Sequence, residues 1–436
     1  MKTQAELIQI QKELEKRGRD LGALRYDERT DNAVKNGRAH STSFGNAIIS
    51  ENVLKIRDAI HSALNPERGR PVAALKLIKD VDLGVVAMTT LSTLVGSLTF
   101  GHKGDIKQTS ITTLSELLAK NLFHEYRKAK LDEEAKKHLG NLIQKKGLQG
   151  REAIKALDFI EYTHEQEVEE WDVKSRVTLG RLMIELVNQA TDLIDLVEGE
   201  KAAGAPEKAK APIVVKASDE INEWIKNHRD EVRLLSPVYL PMVVKPRDWN
   251  VENIFSGCYL TNEQAPVPFV KRKKAKQMKR LKEENPTAVF EAVNAIQSTA
   301  WRIRKPVLNL LKRIQDEKID LDLPLSSMPP QNDPVIDEDA PFPVRQAQEK
   351  HQTEIANLRS IVAVNVALAE EFAEFDEFFV PHHLDTRGRV YPIPSLNPQG
   401  ADYVKGLLEF AEGKRLGAEG VFWLKVHVAN LFGVDK

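Results

Sequence analysis

The stretch HHLDTRGRVYPIPSLNPQGADYVKGLLEFAEG, His382 to Gly413, packs several chemically committed side chains into a short space. Arg387 and Arg389 flank Gly388, and Asp385 stands two residues before the first arginine. FFVPHHLDTRGRVYP reads as a short strand, a turn and another short strand; if the segment is extended, residues two apart share a face. Two guanidiniums would then point together, a bidentate clamp for phosphates or for the sugar edge of a nucleic acid. Gly388 gives the backbone freedom to turn or to approach a ligand closely. Asp385 can hold one arginine in place, and Tyr391 adds a stacking surface or a hydroxyl. The Asn-Pro-Gln-Gly run from Asn397 to Gly400 is a turn signature, and Lys405 beyond it can place an ammonium near a phosphate. On composition alone the same residues more readily describe a surface hairpin closed by an ordinary Arg–Asp pair, followed by a solvated lysine.

Two other places carry concentrated positive charge. NPERGRP, Asn65 to Pro71, is a loop with Arg68 and Arg70 around Gly69, a form that can reach into a narrow minor groove. KRKKAKQMKR, Lys271 to Arg280, can neutralise phosphates, each contact adding to salt-dependent affinity. A plain surface loop and a solvated helix face are the competing readings. No P-loop, no GxGxxG before a helix, no zinc spacing and no HExxH occurs. The adjacent His382 and His383 suit neither a strand face nor a helical metal pair.

The elements that must hold these groups read as mainly helical. Ile49, Val53, Ile56 and Ile60 recur at helical spacing, as do Leu114, Leu117, Leu118 and Leu122. A run from Trp171 to Gly199 reads as helix, apolar at Val177, Met183, Ile184, Val187, Leu193 and Val197. Gly199 to Pro212 is a break, and IVVKA after it reads as half of a hairpin. SPVYLPMVVKPRDW reads as extended chain. ENPTAVFEAVNAIQSTAWRIRKPVLNLLKRIQD reads as helix kinked at Pro306. Leu323 to Pro343, acidic and proline-rich, marks a boundary, and a long helix follows it. Trp171, Trp301 and Trp423 sit in amphipathic segments and are expected in the core.

With 436 residues the chain exceeds a single-core size, so two or three domains are expected. Lys+Arg total 63 against 64 Asp+Glu, so any nucleic-acid binding rests on local patches rather than a global basic excess. A single cysteine, Cys258, excludes an internal disulfide and suits a reducing cytoplasm. Leu83 to Phe100 carries no charge, but its threonines, serines and glycines mark a buried core helix rather than a membrane span.

The segment from Asp385 to Lys436 resembles the start of the polymerase core in single-subunit, T7-like bacteriophage RNA polymerases. That family carries Asp-aromatic-Arg-Gly-Arg-Val-Tyr, then Asn-Pro-Gln-Gly, Lys-Gly-Leu-Leu and Trp-Leu-Lys-apolar-His. Thr386 stands here where relatives have an aromatic residue, a departure that leaves the arginines intact. Upstream, SPVYLPMVVKPRDW and AIQSTAWRIRKPVL are similar to two further family segments.

The resemblance implies a mainly α fold with three parts. These are a helical promoter-binding domain over 1–325 with a linker and hairpin near 199–217, a thumb over 326–378, and the first elements of an α+β palm over 379–436. It implies that Arg387, Arg389 and Tyr391, supported by Asp385 and Gly388, contact the template strand and the sugar–phosphate of the growing RNA. Lys405 would lie near the backbone, and Arg68 and Arg70 near a loop reading AT-rich upstream DNA. Nucleotidyl transfer needs two magnesium ions held by palm aspartates. The resemblance places those aspartates beyond the position matching Lys436, so this chain is expected to be inactive alone and to bind no cofactor itself. Its expected partners are promoter DNA, the template strand and the RNA–DNA hybrid, with a second chain supplying fingers and palm, in a host cytoplasm and without a membrane. The alternative is a non-enzymatic DNA-binding protein derived from such a polymerase. Val421, Phe422, Leu424, Val426, Val428 and Leu431 would then lie uncovered near the terminus.

Overall fold

The computed structural model describes residues 2–98, 109–146, 148, 150–166, 168–200, 211–271, 275–320 and 328–433. Of the described residues 60% are helical, the mainly α class expected. In order, it forms α1 (Gln4–Lys35), α2 (Ser43–Leu64), α3 (Leu83–Ser97), β1 (Thr109–Ser110), α4 (Ile111–Lys130), α5 (Glu133–Lys146), α6 (Arg151–Thr163), α7 (Val173–Ala190), β2 (Ile194–Glu198), β3 (Ile213–Ala217) and α8 (Asp219–Leu234). Then follow α9 (Ala275–Glu284), α10 (Thr287–Gln297), β4 (Ala300–Ile303), α11 (Lys305–Asp316), α12 (Phe342–Phe372), β5 (Phe378–Phe379), β6 (His382–Leu384), β7 (Val390–Pro392), α13 (Asp402–Leu407), β8 (Leu408–Phe410) and α14 (Gly420–Phe432). They pack as two compact units, one made of residues 24–233 and the other of residues 1–23 and 234–436.

The contiguous unit is helical because its apolar residues recur every three to four positions and its helices are capped. Thr42 accepts the Gly45 amide at 3.1 Å to start α2, and Asp82 accepts the Val85 amide at 3.0 Å to start α3. Ile48, Ile56 and Ile60 of α2 join Leu91, Leu94 and Val95 of α3 and Leu114 and Leu118 of α4 in one core. The uncharged run from Leu83 is thus a buried core helix. No helix among the described residues is long and apolar enough to cross a membrane. IVVKA is indeed one arm of a hairpin: β3 pairs antiparallel with β2, Val215 opposite Leu196, and its other edge takes β1. The expected helix from Trp171 to Gly199 is therefore wrong in its last third. Thr191 ends α7, and Leu193 to Val197 form a turn and strand because pairing with β3 overrides their helix-like spacing.

In the discontinuous unit the first turns of α1 are fixed by a buried carboxylate. Glu15 Oε1 accepts the Leu260 amide and the Gln11 side chain, both at 2.9 Å, while Oε2 accepts the Thr261 amide at 2.7 Å and its hydroxyl. Gln11 in turn accepts the Val243 amide at 3.0 Å. Glu15→Gln sets an NH₂ group against these donors and should cost about 2 kcal/mol, read as a lowered denaturant midpoint with an unchanged slope.

The helix expected through Pro306 is instead two helices with a strand between them. α10 ends at Gln297, β4 pairs antiparallel with β5 and β8, and α11 begins at Lys305 with Pro306 in its first turn. Proline is accommodated there because that N–H has no helical partner to lose. The long helix after the acidic boundary is α12, with Ile355, Val362, Val366, Ala369 and Phe372 buried. Trp171 is buried as expected and Trp301 packs on the second core. Trp423 is 61% exposed, against expectation. Its helix, α14, is mostly apolar, broken by Lys425, His427 and Asn430, and has no buried residue.

Candidate nucleic-acid interface

β6 and β7 pair with His382 opposite Pro392 and Leu384 opposite Val390. Between them, Asp385 to Arg389 form the turn expected between two short strands, so Arg387 and Arg389 do not share the face that an extended segment would give them. The reason is Asp385 itself. Its Oδ1 accepts the Arg387 amide at 2.8 Å and the Arg389 amide at 3.0 Å, an Asx-type turn. Its backbone N–H reaches the Arg389 carbonyl at 2.9 Å, and the Gly388 N–H reaches the Asp385 carbonyl at 3.1 Å. Gly388 has φ +82°, left-handed backbone that glycine adopts without strain. The Arg389 amide and the Arg387 side chain and amide hold the Asp385 carboxyl below the usual aspartate range.

The arginines separate in role. Arg387 donates from Nε and Nη2 to Asp385 Oδ2, both at 2.9 Å, yet its side chain stays 65% exposed. Asp385, then the nearby Tyr391, raise its pKa further. Arg389 is exposed and makes no ion pair among the described residues. Tyr391 is 37% exposed. The Asn397–Gly400 turn is tied to the hairpin, Gln399 Nε2 donating to the Val390 carbonyl at 3.2 Å. Lys405 follows on α13, exposed and paired with Asp402 at 3.0 Å. Arg68 and Arg70 belong to the other unit, in the exposed loop after α2, with Gly69 at φ +91°. Of the basic run from Lys271, residues 272–274 lie outside the described residues. Arg280 pairs with Glu284 at 2.6 Å.

The hairpin is braced from behind by residues whose role the sequence did not announce. Trp249, fully buried, donates from Nε1 to the His382 carbonyl at 2.9 Å. Asn294 clasps the Trp249 backbone at both ends, accepting its N–H at 2.7 Å and donating to its carbonyl at 3.0 Å. Gln297, buried on the same face of α10, donates to the Arg247 carbonyl at 3.0 Å. Their spacing of three, which places both amides on one face of α10, was the available signal. His382 and His383 alternate along β6, and both are buried. Burial, followed by Lys271, pushes His383 down to about 4. Burial also lowers His382, whose Nδ1 meets the Val380 carbonyl at 2.7 Å. The three segments singled out separately in the sequence, at 236–249, 295–308 and 382–392, thus converge in one hydrogen-bonded block.

The model of the DNA-directed RNA polymerase N-terminal family matches residues 10–298. The chain belongs to that family. Among its relatives, it is 26% identical over 452 aligned positions to the DNA-directed RNA polymerase of Enterobacteria phage T3, covering 99% of this chain and 50% of the relative. It is 25% identical over 467 positions to T7 RNA polymerase of Escherichia phage T7, with the same coverage. The DNA-directed RNA polymerase 2 of Arabidopsis thaliana chloroplasts and mitochondria is 34% identical over 212 positions, 45% of this chain and 20% of that one. The chain therefore spans about half the length of the phage RNA polymerases it matches and corresponds to a T7-like N-terminal portion.

Proposed function

We propose that this N-terminal portion of an RNA polymerase holds nucleic acid during transcription, with the β6–β7 hairpin on the sugar–phosphate backbone of the template strand and RNA–DNA hybrid. The observation that carries the reading is the exposed trio Arg387, Arg389 and Tyr391 on a turn fixed by Asp385 and backed by the Trp249 block. Arg389, unpaired among the described residues, is the primary phosphate ligand. Arg387 exchanges part of its Asp385 contact for phosphate, and Tyr391 lies against sugar or base. Lys405 adds a backbone contact, and Arg68 and Arg70 engage upstream promoter DNA. The apolar faces of α14 receive further polymerase core, from the same chain or a second one.

The residues here do not fit the magnesium pair that nucleotidyl transfer needs. Asp385 is committed to Arg387 and two turn amides, and Asp402 to Lys405. Among the described residues no three His, Cys, Asp or Glu side chains surround one point. No catalytic step is assigned to this chain.

The test is a salt titration of affinity for an RNA–DNA hybrid. Arg387→Ala/Arg389→Ala should weaken binding and reduce the magnitude of the log K against log salt slope by about 0.7–0.9 per lost contact. The loss should be equal for hybrids of different sequence, because phosphates carry no base identity. Arg389→Lys should restore binding only in part, since an ammonium lacks the guanidinium fork. An unchanged slope and affinity would return the turn to a surface hairpin held by an Asp–Arg pair.

A further inference from the structure

His138 lies on the exposed side of α5, and His164 caps the C-terminal end of α6. Although 26 residues apart, His138 Nδ1 and His164 Nε2 approach to 3.2 Å. The two helices form a pair around their own small core of Leu131, Ala135, Leu139, Ala156, Leu157 and Ile160, which fixes where the rings stand. The end of α6 is also tied down. Glu165 adopts φ +50°, and the Gln166 amide returns to the Glu161 carbonyl at 2.9 Å. The Gln166 side chain donates to Asp132, the residue before α5, at 3.1 Å. The histidine contact is therefore held on both sides by ordered chain.

We propose that His138 and His164 form a two-histidine site for a borderline divalent transition ion, with Cu²⁺ the tightest and Ni²⁺ and Zn²⁺ weaker. Two imidazole nitrogens at this separation, each about 2.0–2.1 Å from one ion, subtend roughly 100° at the metal, between octahedral and tetrahedral values. Imidazole is a preferred donor for these ions, and the Irving–Williams order sets their ranking. The rings now meet nearly head-on, with centroids 5.5 Å apart. Each ring turns by about 40° for its lone pair to aim at a shared ion, a rotation open to side chains at the surface. Among the described residues no third ligand is already in position. Glu134 stands one turn before His138 on the same helical face and has no ion pair among the described residues, so it and water complete the shell. The site is independent of the nucleic-acid reading. By joining α5 to α6, a bound ion stabilises the folded unit through mass action.

The experiment is equilibrium dialysis of the untagged full chain against Cu²⁺, with electron paramagnetic resonance of the loaded protein. One equivalent should bind at micromolar concentration, with nitrogen couplings in the spectrum. His138→Ala and His164→Ala should each weaken it by more than the roughly 10–100-fold that loss of an outer-shell partner costs. His351→Ala, at an exposed position on α12, should leave it unchanged. His138 is exposed and His164 half-buried at the surface, so each variant should keep the parent circular dichroism. His138→Gln repeats the test with a polar side chain retained. Absence of micromolar binding, or binding unaffected by either substitution, would overturn the proposal and leave an ordinary N–H···N contact.

Discussion

Gly180→Val should destabilise the contiguous unit by about 3–5 kcal/mol and lower its unfolding midpoint by roughly ten degrees. A Cβ at Gly180 would sit 2.0 Å from the Ser115 carbonyl oxygen, 2.7 Å from its carbon and 2.9 Å from its Cα. All three are backbone atoms of α4, and a helix backbone cannot yield without moving the whole helix. Leu114 and Leu118 on one side and Met183, Ile184 and Val187 on the other are fully buried around this crossing, so separation opens the largest core of the unit. Gly180→Ala is the sharper test. In a helix interior alanine gains about 1 kcal/mol over glycine. Here the clash should outweigh that gain, and alanine should still lower the midpoint. A midpoint that stays or rises in the alanine variant, followed by circular dichroism, would show that the helices are not in backbone contact at this residue.

Trp249→Ala should cost about 3–5 kcal/mol, the range for emptying a buried aromatic site. It should also loosen the hairpin that carries Arg387 and Arg389. The indole packs on Phe269 with ring centroids 5.1 Å apart, and Phe269 continues to Phe290 at 4.8 Å. Its N–H is the bond that reaches β6. Trp249→Phe keeps most of the packing but leaves the His382 carbonyl without that donor, a loss of about 1–3 kcal/mol. Amide exchange reads the consequence directly. The Leu384 N–H, donated to Phe269, and the Ile393 N–H, donated to Pro381, should exchange faster in both variants. Unchanged protection at these amides, with global stability lowered, would confine Trp249 to core packing and remove it as the brace.

The charged residues of the hairpin are legible in the sequence, but their geometry is not. The β-type residues on either side of Asp385–Arg389 give strand, turn and strand, and only the extended path that would align the two arginines fails. The Asp-x-Arg-Gly-Arg order is also a turn signal, since an aspartate can accept amides two and four residues on and a glycine can take the left-handed region. That local chemistry wins. Helix periodicity finds α2, α4 and α12 because each presents one apolar stripe to a core. It fails at Leu193–Val197 and at Ala300–Ile303, where strand partners distant in sequence decide the conformation. Trp423 misleads because an apolar helix reads as buried whatever covers it. The bracing by Asn294 and Gln297 joins three separated segments, and no single window of sequence displays it.

The unit that carries the hairpin is assembled from residues 1–23 and 234–436, with the other unit contiguous between them. Glu15 can therefore accept only the Gln11 side chain until Leu260 and Thr261 have been made. At roughly 5–20 residues per second on a ribosome, that is a delay on the order of 10–50 s. The middle of the chain can finish folding within that interval, while the first turns of α1 wait with Leu7 and Leu14 unsatisfied. Synthesis order thus makes the amino-terminal segment a late joiner. Its apolar residues stay uncovered through that interval.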